Sequence, residues 1–237
     1  MKTLLALLLV GISAPALAQS GARPAEAGWD VQTAGGAKLQ SVPINVSEGS
    51  WLDLDVSPDG RSIAFALLGD IYVMPISGGS PRRIAEGLAW EVQPRFSPDG
   101  RRIAFTSDRG GGDNIWVMNA DGSDKRQLTR EDFRLLYQPS WSPDGQFIAA
   151  KKHFTTGRSL GTGEIWLYHV SGGSGQVVVK RASEQLQKEL GEPAFSPDGK
   201  RIYYTRNVSP GPIFEYAQDS NTELFAVEAV TLATGEV

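Results

Sequence analysis

Cysteine is absent from this chain of 237 residues. Disulfide bonds, thiolate metal sites and a lipid-modified N-terminal cysteine are therefore excluded. Histidine is scarce as well, since only His153 and His169 occur. They form no His-x-His or His-Glu-x-x-His motif, so the sequence offers no zinc site of a common kind. No Gly-x-Ser-x-Gly motif accompanies them, which disfavours a serine hydrolase site within the chain.

The sequence also lacks an excess of basic residues and a long apolar segment. Its formal net charge is −4, which argues against nucleic acid as a partner. The apolar run at residues 4–12 is shorter than the roughly 20 residues that cross a bilayer, so no membrane span is expected. With Lys2 before this run and Ala16-Leu17-Ala18 after it, residues 1–18 have the three-part pattern of a secretory signal peptide. The pattern predicts cleavage near Ala18 and a periplasmic or secreted protein.

Glycine and proline are plentiful by contrast, and many of them fall in one repeated tetrapeptide. Ser-Pro-Asp-Gly begins at Ser57, Ser97, Ser142 and Ser196, so the starts lie 40, 45 and 54 residues apart. Proline presets φ at the second position of a tight turn, and glycine accepts the left-handed conformation at its end. The sequence therefore predicts four structural turns, made by Pro58, Asp59, Gly60, Pro98, Asp99, Gly100, Pro143, Asp144, Gly145, Pro197, Asp198 and Gly199. A metal site is the alternative for the four aspartates, but each lies in a separate repeat and they are not expected to converge on one ion.

Strand-like segments surround each turn, one before it and up to three after it. Units of about 40 to 45 residues with four short strands are typical of propeller blades, whereas a two-sheet sandwich has no fixed internal period. The sequence thus predicts an all-β protein, a β-propeller of four-stranded antiparallel blades. Residues 39–237 hold about 3.5 blades, so the predicted ring is incomplete. Residues 19–38, rich in alanine and glycine, are expected to be a flexible lead-in.

Residues 39–47 align with the end of a blade's fourth strand. They are predicted to be an outermost strand that would complete the last blade and latch a closed ring. Because an open arc exposes strand edges, the chain is expected to be the N-terminal part of a longer propeller.

The loops of one propeller face supply the candidates for binding. These candidates are Trp51, Trp90, Asp108, Arg109, Phe214 and Tyr216. The two tryptophans lie near the connection into a blade's first strand, where a channel mouth can form. The other four lie in loops between second and third strands, which lengthen along the chain and would gather on one face. Gly110-Gly111-Gly112 lacks the Lys-Ser/Thr and the following helix of a phosphate loop, so a hairpin loop is the preferred interpretation.

The second repeat carries a family resemblance. Residues 96–109 read Phe-Ser-Pro-Asp-Gly-Arg-Arg-Ile-Ala-Phe-Thr-Ser-Asp-Arg and continue through Asn114-Ile115-Trp116-Val117 to Gln127-Leu128-Thr129. This unit closely resembles the TolB-type, WD40-like propeller repeat, and the resemblance covers residues 39–237. It implies the propeller fold. It leaves the function open, because the repeat serves periplasmic Tol-system proteins, tricorn-like and oligopeptidase-like hydrolases and stand-alone modules.

A narrower resemblance involves residues 49–60, 67–79 and 93–96. They look like the opening of exported bacterial amidohydrolase-family proteins, in which a TolB-like propeller precedes a metal-dependent hydrolase barrel. The metal-binding histidines of that family lie in the barrel, and no position here matches them. The resemblance therefore implies no catalytic residue, metal or cofactor in this chain, and a divalent metal such as zinc in a catalytic domain outside it.

The resulting expectation is an exported binding or gating module whose partners are the rest of its propeller and a downstream catalytic domain. One alternative is a non-enzymatic periplasmic TolB-like propeller that binds another periplasmic protein or a peptide. The separate domain that TolB carries before its propeller has no counterpart here, which disfavours the Tol-system role. Another alternative is the propeller of a serine-peptidase-like hydrolase.

Overall fold

A computed structural model describes residues 38–50, 52–155, 161–211 and 223–237. These residues form strands, turns and connections without any helix. Blade 1 consists of β1 (Leu54–Val56), β2 (Ser62–Leu67), β3 (Asp70–Pro75) and β4 (Arg82–Ala85). Blade 2 consists of β5 (Glu91–Phe96), β6 (Arg102–Ser107), β7 (Asn114–Asn119) and β8 (Arg126–Gln127).

The second half of the chain repeats this order. Blade 3 consists of β9 (Leu135–Trp141), β10 (Phe147–Thr155), β11 (Gly161–His169) and β12 (Gln176–Val179). Blade 4 consists of β13 (Leu190–Phe195), β14 (Arg201–Asn207) and β15 (Phe225–Thr231). Every sheet is antiparallel with its strands in chain order, and the fourth sheet has three strands among the described residues. The predicted all-β propeller with an incomplete ring is confirmed.

The Ser-Pro-Asp-Gly turns join the first and second strands of every blade and have the same geometry. In each, the serine hydroxyl donates a hydrogen bond of 2.5–2.7 Å to the aspartate Oδ1. The glycine N–H donates to the serine carbonyl at 2.8–2.9 Å, and the glycine φ lies between 67° and 70°. The serine hydrogen bond also holds the pKa of each aspartate below its usual value. The sequence-predicted turns are thus structural hairpin turns, as their residues require.

The apolar core lies between neighbouring blades. Ile71 of blade 1 packs with Ile103 and Phe105 of blade 2, and similar clusters join blades 2 and 3 and blades 3 and 4. Trp141 is buried in the cluster between blades 2 and 3. Trp90 differs, since 56% of it is exposed.

Residues 39–47 do not form the strand that their pattern predicts. They are irregular and exposed, and the apolar side chains of Leu39, Val42 and Ile44 are 59–69% exposed. A strand is stable when a neighbouring strand satisfies its backbone N–H and C=O groups. No described strand pairs with this segment.

Candidate functional site

The first strands of the four blades lie side by side, each in contact with the first strand of the next blade. Asp53, Gln93, Gln138 and Glu192 occupy equivalent positions there, each four residues before the serine of its turn. Together with Arg95, Ser140 and neighbouring residues they line a cleft of about 340 Å³. We call this the axial cleft, and all four blades contribute to it.

The backbone of the cleft is strained at three of these positions. Gln93, Gln138 and Glu192 have φ values of 57°, 56° and 54°. Left-handed conformations are uncommon for residues other than glycine and cost on the order of 1–3 kcal/mol each. Each residue also precedes a proline, and the strand pairing shifts register at each of these dipeptides. They are therefore bulges, which commonly redirect a side chain near a functional site.

The redirected side chains connect one blade to the next. The backbone N–H of Gln138 donates to Gln93 Oε1 at 2.7 Å, and that of Glu192 donates to Gln138 Oε1 at 2.8 Å. The hydroxyl of Thr106 also donates to Gln93 Oε1, at 3.0 Å. This amide chain ends at the exposed carboxylate of Glu192, which accepts no hydrogen bond from any described residue. Glu192 is thus free to accept an N–H group of a ligand in the cleft.

Lys151 lies beside the cleft, buried between two glycines of neighbouring strands. A Cβ atom at Gly163 or Gly191 would come within about 3.0 Å of the Lys151 side chain, so glycine at both positions leaves it room. Its ammonium group pairs with the carboxylate of Glu189. Burial lowers the pKa of Lys151 to about 8, although the negative charge of Glu192 opposes the shift. Lys151 can therefore donate hydrogen bonds to carbonyl or carboxylate groups as an ammonium ion, and it titrates near pH 8.

Three of the sequence-predicted binding residues lie together where blade 1 meets blade 2. The N–H of Trp90 donates to the carboxylate of Asp108 at 2.8 Å. Arg109 donates to Glu91 Oε1 through Nε at 3.0 Å and through Nη2 at 2.8 Å, and it also binds the carbonyl of Glu86. These contacts join the loop after β6 to the connection before β5. The ligand-binding role of Trp90, Asp108 and Arg109 stays a prediction.

Glu91 is the buried partner in this contact. It is fully inaccessible to solvent, and its Oε2 atom has no hydrogen-bond partner among the described residues. Burial raises the pKa of Glu91, while Arg109 opposes the rise. The remaining predicted binding residues, Trp51, Phe214 and Tyr216, lie outside the described residues, as does most of the insertion 207–221.

The candidates named from the sequence do not include the axial cleft. A usable signal exists in the dipeptides Gln93-Pro94, Gln138-Pro139 and Glu192-Pro193, which recur at the same distance from the turns. Proline disfavours the helical region for the residue before it. The pattern marks an irregular position, but the left-handed conformation is visible only in the structure.

Neither histidine contributes to a metal centre in the described part of the chain. Nowhere in residues 38–50, 52–155, 161–211 and 223–237 do three His, Asp or Glu side chains converge as a metal-binding group. His169 binds Ser171 through Nδ1, and burial lowers the pKa of His153. The same ranges hold no helix with the length and apolar character of a membrane span.

Comparison with known proteins relates the fold to a family. Residues 44–208, well over half of the chain, match the TolB beta propeller domain. The uncharacterized peptidase YuxL of Bacillus subtilis is 28% identical over 197 residues, which cover 68% of this chain and 30% of that protein. Two solved structures share the fold. A putative TolB from Agrobacterium tumefaciens has a TM-score of 0.57 and 20% identity, over 77% of this chain and 58% of that one.

The other structure is a puromycin-hydrolyzing peptidase from Mycobacterium tuberculosis. It has a TM-score of 0.55 and 14% identity, over 80% of this chain and 29% of that one. The chain thus spans about a third of the two peptidases and somewhat more than half of the putative TolB. The match over residues 44–208 is the decisive one, and the chain belongs to the TolB beta propeller domain family.

Proposed function

We propose that this chain is the exported propeller module of a hydrolase and that its axial cleft binds or gates a peptide. The observation that carries the proposal is the amide chain through Gln93 and Gln138 that ends at the free carboxylate of Glu192. Residues 1–18 have the pattern of a signal peptide. This pattern supports export to the periplasm or outside the cell.

The chemistry of the cleft matches a peptide backbone, which alternates N–H donors with carbonyl acceptors. The carboxylates of Asp53 and Glu192 can accept N–H groups. Arg95, whose Nη1 binds the carbonyls of Leu54 and Pro94, has further N–H groups that can donate to carbonyls. Because the bulge that carries Glu192 is formed before a ligand arrives, less backbone conformational entropy is lost there on binding.

A peptidase is the favoured catalytic partner. The names of YuxL and of the puromycin-hydrolyzing protein identify them as peptidases, and this chain spans about a third of each. The amidohydrolase alternative depends on the resemblance of residues 49–60, 67–79 and 93–96. Under that alternative, a divalent metal such as zinc would be held by the catalytic domain.

The reading frame of the gene after Val237 distinguishes these partners. A Gly-x-Ser-x-Gly motif after further blades would support the serine-peptidase alternative. A histidine-rich barrel sequence would support the amidohydrolase. A stop codon directly after Val237 would contradict both.

A second candidate function is that of a non-enzymatic propeller that binds another periplasmic protein. The likeness in fold to the putative TolB from Agrobacterium tumefaciens supports it. Under this function, a folded protein rather than a short peptide would bind the chain, and mutation of Glu192 would leave that binding unchanged.

Peptide binding tests the cleft directly. Calorimetric titration of the chain with penta-alanine bearing a free amino terminus is expected to detect binding, and Glu192→Gln should weaken it about tenfold, as for the loss of a charged hydrogen bond. Glu184→Gln removes the same charge from another exposed position and should have no effect. Equal affinities for the Glu192→Gln and Glu184→Gln variants would refute peptide binding at the cleft.

A further inference from the structure

A second groove follows the outer edge of blade 2, away from the axial cleft. It lies between β8 and the turn that connects β11 to β12 in blade 3, and its volume is about 520 Å³. Its lining includes Arg126, Arg130, Tyr168, Gly172, Gly173 and Ser174. The outer strand β8 has two residues, whereas β4 and β12 have four each. The short strand leaves the groove open along its length.

Tyr168 supplies an unexplained polar group in this groove. The residue is 2% exposed, and its hydroxyl has no hydrogen-bond partner among the described residues. Burial raises the pKa of Tyr168, so the hydroxyl keeps its proton and remains a donor. A buried hydroxyl without a partner is costly and rare, which indicates that something else accepts its hydrogen bond.

The fold holds the Tyr168 ring in this place. The ring stacks on Trp166, with centroids 6.4 Å apart. A Cβ atom at Gly175 would lie 2.4 Å from the ring, and the φ of Gly175 is +76°. Glycine at this position therefore allows the ring to pack against the turn.

The charged groups of the groove favour an anion. Arg126 uses Nη2 to bind the carbonyl of Val170 at 3.0 Å, and its other side-chain N–H groups bind none of the described residues. Arg130 is exposed and forms no ion pair with the described residues. Glu131 also lines the groove, but Lys152 binds its carboxylate at 2.6 Å. The two arginines thus leave a net positive charge, and arginine matches the geometry of carboxylate and phosphate oxygens.

We propose that this groove binds an oxyanion, a carboxylate or phosphate group, between Arg126 and Arg130, with the Tyr168 hydroxyl donating a further hydrogen bond. The glycines at 172 and 173, with φ of +105° and +112°, let such a group approach the backbone of the turn closely. The proposal is independent of peptide binding in the axial cleft.

The test is a calorimetric titration of the full chain with two probes, inorganic phosphate and succinate. Arg130→Gln should weaken binding about tenfold, because it removes a charged hydrogen bond. Arg101→Gln is the matched control, since it removes the same charge from an exposed turn. Binding of phosphate alone would identify a phosphate site, and stronger binding of succinate would identify a carboxylate site. Both results support the proposal.

Tyr168→Phe separates a binding role from a structural one. It should weaken anion binding several-fold, yet the melting temperature of the free protein should stay unchanged or rise, because an unpaired buried hydroxyl is removed. The proposal is overturned if neither probe binds, if Arg101→Gln weakens binding as much as Arg130→Gln, or if Tyr168→Phe leaves the affinity unchanged.

Discussion

The four Ser-Pro-Asp-Gly turns have one geometry and one sequence, whereas the positions four residues before them share a left-handed geometry in only three blades and carry either an amide or a carboxylate side chain. The turn glycines span only 3° in φ, from 67° to 70°. The bulges at Gln93, Gln138 and Glu192 are equally uniform, from 54° to 57°. At the bulges, however, glutamine stands in blades 2 and 3 and glutamate in blade 4.

This difference separates the scaffold from the candidate site. At the turns, one residue set satisfies every local hydrogen bond, so repetition gives each blade the same hairpin. At the bulges, the strained backbone is common to three blades, and the side chain is an amide in two of them and a carboxylate in the third, which is the arrangement expected where a rigid frame presents more than one chemical group. Predictions that alter one region but not the other test this distinction.

The largest effect is expected at the contact between Arg109 and the buried Glu91. Arg109→Ala leaves a fully buried carboxylate without its charged partner, which should cost about 3–5 kcal/mol of unfolding free energy at pH 8. Without Arg109 the pKa of Glu91 should rise further, so protonation near pH 5 should reduce the loss. Urea unfolding at pH 8 and near pH 5 measures the loss of unfolding free energy, with Arg101→Ala as a control at an exposed position. Equal losses in both variants would show that the pair does not stabilise the fold.

Replacement of Lys151 is expected to have a smaller effect of opposite sign, an increase in the unfolding free energy. Its folded pKa of about 8 lies below the ordinary value of 10.5, so the unfolded chain binds more protons between these pH values and stability rises through this window. Lys151→Met removes the cost of burying the charge, and the Glu189 carboxylate that loses its partner is 43% exposed and can be hydrated, so the protein should be stabilised by about 1–3 kcal/mol at pH 7. The gain should vanish near pH 10.5. Denaturation at pH 7 and pH 10.5 checks this, and destabilisation at pH 7 would contradict it.

The turns should respond uniformly to substitution. Gly60→Ala, Gly100→Ala, Gly145→Ala and Gly199→Ala should each cost about 1–2 kcal/mol, because alanine disfavours the left-handed conformation. The added methyl groups meet no atom closer than 3.5 Å, so the cost comes from φ alone. Gly145→Asn should recover part of it, since asparagine tolerates this region. Thermal unfolding measures the four losses, and a spread wider than about 1 kcal/mol would indicate that the turns are not equivalent.

The sequence predicts the scaffold well because its determinants are local. The turn at Ser97 is specified by four adjacent residues, and the blade period follows from the repetition of that turn. The axial cleft is not predictable in the same way, because Gln93, Gln138 and Glu192 meet only when three blades pack side by side. Residues 39–47 are irregular, and their role as the strand that latches the ring stays a prediction, because the strands with which they would pair are expected outside this chain. Their alternation predicts a strand, but pairing needs a neighbour that local pattern does not supply.

The smallest expected effect on the unfolding free energy tests whether Gln93 acts through its hydrogen-bond acceptor or only through the length of its side chain. Gln93→Glu keeps the acceptor oxygen for the N–H of Gln138, whereas Gln93→Met keeps the length of the side chain but removes the acceptor. The methionine variant should therefore lose about 1 kcal/mol of unfolding free energy more than the glutamate variant at pH 7. Amide hydrogen exchange at residue 138 should accelerate in the methionine variant alone. If both variants exchange alike, the side chain of Gln93 does not hold the bulge of blade 3, and the strained backbone of the cleft must be fixed by strand packing instead.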